Sequence, residues 1–236
     1  MKKFGKYKYF LLSYLIIACT VLGCAGWGSR IVTVISENAP IKNRTCIVID
    51  AGHGGEDGGA TSCTGVLESQ INLEISLKLN DLLQLFGFDT CMIRTTDQSI
   101  YTQGSSLSEK KVSDLKERVR IVNSTDNAIL VSIHQNQFAE SKYRGAQVFY
   151  ASKAESKPLA QKVQSAFINT INPDSNRTCK KADGIYLMQN ITCTGILVEC
   201  GFLSNPEEEA LLRNADYQRK IAGVIAATLS LHVNIS

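Results

Sequence analysis

A chain of 236 residues, 44% hydrophobic and 20% charged, can bury one good core and is short for two full domains. The formal charge is +3, but Lys2, Lys3, Lys6 and Lys8 all precede a hydrophobic run; taking those four from the 25 basic residues leaves 21 against 22 acidic ones. A near-neutral remainder excludes nucleic acid as a partner, because such binding needs a basic footprint on the folded domain.

From Phe10 to Trp27 the chain is almost uncharged and mostly apolar. About 18 residues are just enough for a membrane span. The lysines before it favour a cytoplasmic N-terminus, so the remainder of the chain is expected outside, anchored on the outer face of the cytoplasmic membrane. Without a small-x-small cleavage site, residues 1–30 read as a signal anchor, with a removed signal peptide as the alternative. Val21-Leu-Gly-Cys24 is also similar to an imperfect bacterial lipobox, which would put lipid on Cys24. Residues 31–44, with Asn38, Pro40 and Asn43, read as a linker to a single domain over 45–236.

Cys46 to Ile49 reads as a strand buried on both faces, ending at Asp50. Gly52, Gly54, Gly55, Gly58 and Gly59 then surround His53, where glycine permits a close backbone approach to a ligand. Leu67 to Phe86 has the apolar spacing of a helix, closed by Gly87. Asp89 to Arg94 predicts a second strand, and Thr95 to Ser113 a long polar loop. Ser113 or Asp114 is expected to cap the next helix, in which Leu115, Val119 and Val122 share a face. Ala128 to Ile133 is another apolar strand, with His134 at its end.

Gly145 to Ala151 predicts a strand, Lys157 to Ile171 a helix, Asn172 to Asp183 a loop and Gly184 to Met188 a short strand. Gly195 to Val198 is the last strand and ends at Glu199. Ser204 or Asn205 caps a helix with Pro206 at its first position and Glu207, Glu208 and Glu209 in its first turn. A final helix runs from about Tyr217 to Leu231, with His232 at the surface. The alternation predicts an α/β domain with a mixed, mostly parallel sheet flanked by helices. Six cysteines come after the hydrophobic segment without a C-x-x-C pair, which argues against a cysteine zinc site; Cys179 and Cys193 could bridge a loop.

Three strands thus end in His53, His134 and Glu199, and parallel strands present their carboxyl ends along one edge. Glu68 opens the first helix across the glycine loop, either as a first-turn acid stabilising the helix dipole or as a fourth member of the site. Two histidines and a carboxylate, with one position open, make the donor set of a catalytic zinc. A further carboxylate can act as general base and then pass the proton to a leaving amine.

Ile49-Asp-Ala-Gly-His-Gly-Gly55, Gly65-Val-Leu-Glu68, Ser132-Ile-His-Gln-Asn136 and Val198-Glu-Cys-Gly-Phe-Leu-Ser-Asn205 together resemble the signature set of the zinc-dependent N-acetylmuramoyl-L-alanine amidases, the amidase-3 group. The resemblance covers nearly all of residues 45 to 233. It implies hydrolysis of the amide between muramic acid and L-alanine in peptidoglycan, with His53, Glu68 and His134 binding zinc, Glu199 as catalytic carboxylate and Asn136 supporting the site or contacting substrate. Ala51 stands where the family commonly has proline, and Gln137 where a small residue is common. A short anchor with one catalytic domain is similar to the sporulation amidases that prepare spore cortex for muramic δ-lactam formation. The alternatives are a vegetative wall amidase and a non-catalytic wall-binding or partner-binding protein of the same fold. With three protein ligands and no cysteine among them, zinc is expected to be lost to chelators or to need a partner protein to stay.

Overall fold

A computed structural model describes residues 44–233; the expected anchor, the linker up to residue 43 and Cys24 lie outside the described residues. In chain order the elements are β1 (Cys46–Ala51), α1 (Glu68–Leu85), β2 (Asp89–Met92), α2 (Leu107–Asn123), β3 (Ala128–Asn136), β4 (Gln147–Tyr150), α3 (Ser156–Thr170), β5 (Lys180–Lys181), α4 (Tyr186–Asn190), β6 (Thr194–Phe202), α5 (Pro206–Leu212) and α6 (Ala215–Val233). One six-stranded sheet has the order β2-β1-β3-β6-β4-β5. β1, β2, β3 and β6 run parallel, whereas β4 is antiparallel to β6 and carries β5 beside it in its own direction. The sheet is therefore mixed and mostly parallel, as the alternation of strands and helices implies.

Side chains alternate across the strands and divide the interior in two. Ile47, Ile49, Val131, Ile133, Ile196 and Val198 face a core completed by Ile71, Ile75 and Leu79 of α1, Val163 and Phe167 of α3, and Ile221 and Ile225 of α6. Val48, Leu130 and Leu197 face the opposite core, with Val122 of α2 and with Leu187 and Met188 of α4. Each central strand is covered on both faces, which is why it reads as a continuous apolar run. No helix among the described residues is long and apolar enough to cross a membrane.

Three expectations need correction. α2 begins at Leu107, not after Ser113 or Asp114, because Ser106 and Glu109 form a reciprocal capping box several residues earlier. Ser113 and Asp114 instead lie on the helix and hold the preceding segment: Ser113 Oγ accepts from the Thr102 amide at 3.1 Å, and Asp114 Oδ1 from the Ile100 amide at 2.7 Å. Tyr186 to Asn190 is a one-turn helix where a strand was expected at Gly184 to Met188; the outer edge of β4 is taken by Lys180 and Lys181, within the expected loop. The six described cysteines are free thiols, so Cys179 and Cys193 are not bridged.

Candidate metal centre

β1 delivers the chain to Gly52, and the next residue, His53, has φ 61°, a left-handed conformation that costs a non-glycine residue about 1 kcal/mol. Two buried arginines hold this turn. Arg94 Nε donates to the Ala51 carbonyl at 2.8 Å, and its Nη2 to Gly52 and Ser69 carbonyls at 3.0 and 2.8 Å. Arg118 donates to the carbonyls of Ala51 at 2.9 Å and His53 at 2.7 Å. Its charge is met by Asp50 and Asp114, each at 2.5 Å. Burial pushes the Asp50 carboxyl up, but Arg118, with help from His134 and the Ser132 hydroxyl, more than offsets this and holds it below its usual range. The carbonyls of Ala51, Gly52 and His53, at the buried end of β1 and the turn after it, are thus supplied with donors, Gly52 also by Asn72 Nδ2 at 3.1 Å.

Asp57 sits 2.9 Å from His53 Nδ1, which directs Nε2 toward Glu68 Oε2, 3.4 Å away. Glu68, the first residue of α1, is 3% exposed. Its Oε2 accepts from the Ala60 amide at 2.9 Å; its Oε1 accepts from Asn72 Nδ2 and the Gln135 amide, both at 3.1 Å, and lies 3.0 Å from His134 Nδ1. Burial works to raise the Glu68 carboxyl, yet His134, His53 and the Ala60 amide bring it down to about 2. Conversely, burial works to lower His134, and Glu68 foremost outweighs it, so the imidazole is raised.

Two glycines make room for the side chains. A Cβ on Gly52 would lie 2.2 Å from the His134 ring, and one on Gly59, where φ is +69°, would lie 2.6 Å from Glu68 Oε2 and 2.7 Å from His53 Cδ2. The imidazoles stand edge to face, with centroids 5.0 Å apart.

One donor atom each from His53, Glu68 and His134 lies within 4.8 Å of the others, the one such group of His, Cys, Asp or Glu found among the described residues. In a tetrahedral zinc site, bonds of about 2.1 Å place neighbouring donors about 3.4 Å apart. His53 Nε2 lies 3.4 Å from Glu68 Oε2 and His134 Nδ1 3.0 Å from Glu68 Oε1; these distances are to different oxygens, and the mutual separation of one donor per residue within 4.8 Å is what makes the three a donor set for such an ion. His134 and Glu199 are directly paired across β3 and β6, and both line a cavity of about 350 Å³ together with His53, Asp50 and Arg118. Glu199 Oε2 is buried with no hydrogen-bond partner. Burial raises its carboxyl to about 7, with His134 opposing the rise and Glu68 adding to it. A half-buried carboxylate with one buried, unpartnered oxygen at a cavity wall is poised to take a proton.

His53, Glu68, His134 and Glu199 therefore converge, although the strands carrying the last two run on to Asn136 and Phe202 instead of stopping at the candidate residue. Asn136 lies past a register shift after His134; its carbonyl accepts from the Leu203 amide at 2.8 Å, and it is not among the cavity-lining residues. Gln137 Nε2 donates to the Thr61 carbonyl at 2.9 Å and so braces the far side of the glycine loop. His232 lies on α6 beside Lys162. Sequence reasoning missed Asp57, Asn72, Arg94 and Arg118. Asp57, four residues from His53, had a findable signal; the arginines resemble ordinary surface charges until their burial is known.

The fold and the site define a class, a mixed α/β hydrolase domain with a donor set for a divalent ion at the carboxyl edge of its sheet. Residues 47–230 match the family model of the N-acetylmuramoyl-L-alanine amidases, and the chain belongs to that family. It is 39% identical over 181 residues to the germination-specific N-acetylmuramoyl-L-alanine amidase of Bacillus subtilis, an alignment covering 76% of each chain. Among solved structures it is similar to the CwlD amidase from Clostridioides difficile in complex with the GerS lipoprotein, with TM-score 0.78, 36% identity and coverage of 82% of this chain and 100% of that one. An N-acetylmuramoyl-L-alanine amidase from Clostridium difficile 630 gives TM-score 0.71 at 30% identity, covering 82% and 98%.

Proposed function

We propose that this chain hydrolyses the amide between N-acetylmuramic acid and L-alanine in peptidoglycan, with zinc held by His53, Glu68 and His134 and with Glu199 as the catalytic carboxylate. The observation that carries the reading is the meeting of the three donors beside the unpartnered Oε2 of Glu199. Bound zinc would act as a Lewis acid toward the scissile carbonyl and make water more acidic. Glu199 accepts the proton of the attacking water and delivers it to the nitrogen of the departing L-alanine, so one residue serves as base and then acid. Asp57 keeps His53 in the tautomer whose Nε2 is available, and the Asn72–Gln135 pair holds Glu68 in register. Asn136, expected to support the site or contact substrate, is assigned the supporting role, since its carbonyl ties β3 to Leu203 and it does not line the cavity.

The relation to a germination-specific amidase supports a role in spore cortex, where peptide removal precedes muramic δ-lactam formation. Residues 1–30 would anchor the domain at 45–236 outside the cytoplasmic membrane, in the space around a forespore. The solved complex of a related amidase with a lipoprotein supports a protein partner for this chain, and keeping the metal in place is the role we assign to such a partner.

The test is incubation of the full-length chain, saturated with zinc, with purified peptidoglycan. New L-alanine amino termini and peptide-free glycan are expected. Peptidoglycan binding without release would instead favour a non-catalytic wall-binding protein, and cleavage within the peptide would make the chain a peptidase, a difference that product mass reveals.

A further inference from the structure

A second cleft, of about 680 Å³, opens beyond the metal centre, and its walls carry Lys142, Arg144, Arg177 and Lys180 against one acid, Asp174. That concentration of positive charge stands out in a chain whose residues after the hydrophobic segment are nearly neutral. Only Arg144 is in an ion pair among the described residues, with exposed Glu207 at 3.5 Å.

The topology places this cleft next to the reaction. β4 is antiparallel to β6, so Gln147 is the direct partner of Glu199. β5 runs parallel to β4, so the segment before Lys180 emerges at the same sheet edge. The cleft therefore starts one strand from Glu199 and extends over β4 and β5. Two strand spacings come to about 10 Å, the reach of about three residues of extended peptide.

Its floor is organised. Gln147 is 2% exposed; its Nε2 donates to the Thr178 carbonyl at 2.6 Å, and its Oε1 accepts from Arg177 Nη1 at 3.3 Å. Arg177 Nε donates to the Arg144 carbonyl at 3.0 Å, and its guanidinium lies 4.9 Å over the Phe202 ring. A guanidinium fixed in this way gives up little further freedom when it binds a planar anion.

We propose that this cleft binds a carboxylate of the stem peptide, about three residues from the scissile amide. The inference rests on the amidase reading. A peptide joined to the sugar through its amino end runs toward its free carboxylate as it leaves the bond, and Arg and Lys recognise that group with charge-assisted hydrogen bonds.

The test compares two glycopeptides, one with free carboxylates and one with those groups amidated, using the zinc-loaded full-length chain. The free form is expected to show about tenfold higher kcat/KM, the scale of one charge-assisted contact. The preference should shrink to about twofold or less in a Lys142→Gln, Lys180→Gln variant, whose exposed side chains lie outside the metal centre. Equal kcat/KM for the two substrates in the wild-type chain overturns the inference while leaving the amidase reading intact. Should neither be cleaved, that reading fails and the cleft is decided by calorimetry: tighter binding of the free than of the amidated peptide upholds it, and equal binding overturns it. Peptide-free glycan also carries carboxylates, the pendant lactyl groups freed by cleavage; inhibition by it that the lysine variant relieves overturns the assignment to peptide.

Discussion

Replacing Glu199 with glutamine keeps the shape of the cavity and removes the group that can take a proton. Peptide release should fall by about 10²–10⁴-fold, with zinc content by atomic emission unchanged. In the metal-free protein Glu199 also sets a pH dependence. Its folded value of about 7 exceeds the ordinary 4.5, so the folded state keeps a proton that the unfolded chain releases. Stability contributed at low pH is therefore lost between about pH 4.5 and 7, by up to about 3 kcal/mol. Urea melts in chelator at pH 5 and pH 8 should show this loss, and Glu199→Gln should reduce it, the raised His134 imidazole leaving a remainder of the same sign. Asp57→Asn removes the charge that orients His53, and zinc affinity by equilibrium dialysis should drop about 10- to 100-fold. His134 and Glu199 stood out as candidates because each directly follows an apolar run, and His53 because it sits in a glycine loop just past one. Glu68 did not, since a first-turn acid has an ordinary purpose; only the family motif distinguished it.

Elements were legible in proportion to their apolar periodicity. α1 and α6 bury long stripes and were found within two residues of their ends. α2 buries only Ser113, Arg118 and Val122, so its first turns read as loop, and the Ser106–Glu109 box was the signal available. Ile185 to Met188 is too short a run for periodicity to separate strand from helix. β3 and β6 outlast their apolar segments because backbone pairing continues through His134 and Glu199. α2 also carries Arg118 to the metal-centre turn. Arg118→Met should leave Asp50 buried without its counter-charge and cost about 3–5 kcal/mol, read as a lowered Tm. Ser106→Ala removes only the cap and should cost about 1 kcal/mol, with turnover retained.

At the scale of the molecule, four segments around residues 53, 68, 134 and 199 are tied together by one site. A divalent ion at about 100 times its Kd should therefore add about 2.7 kcal/mol to stability, seen as a Tm that falls on adding chelator and returns with zinc. β6 is both the carrier of Glu199 and the strand that joins β3 to β4. Until residues 194–202 have left the ribosome the sheet exists as two unjoined pieces, and no earlier portion of the nascent polypeptide holds both the proton carrier and the place for the ion. Joining of the two sheet pieces and completion of the candidate site thus fall to the same late segment of the chain.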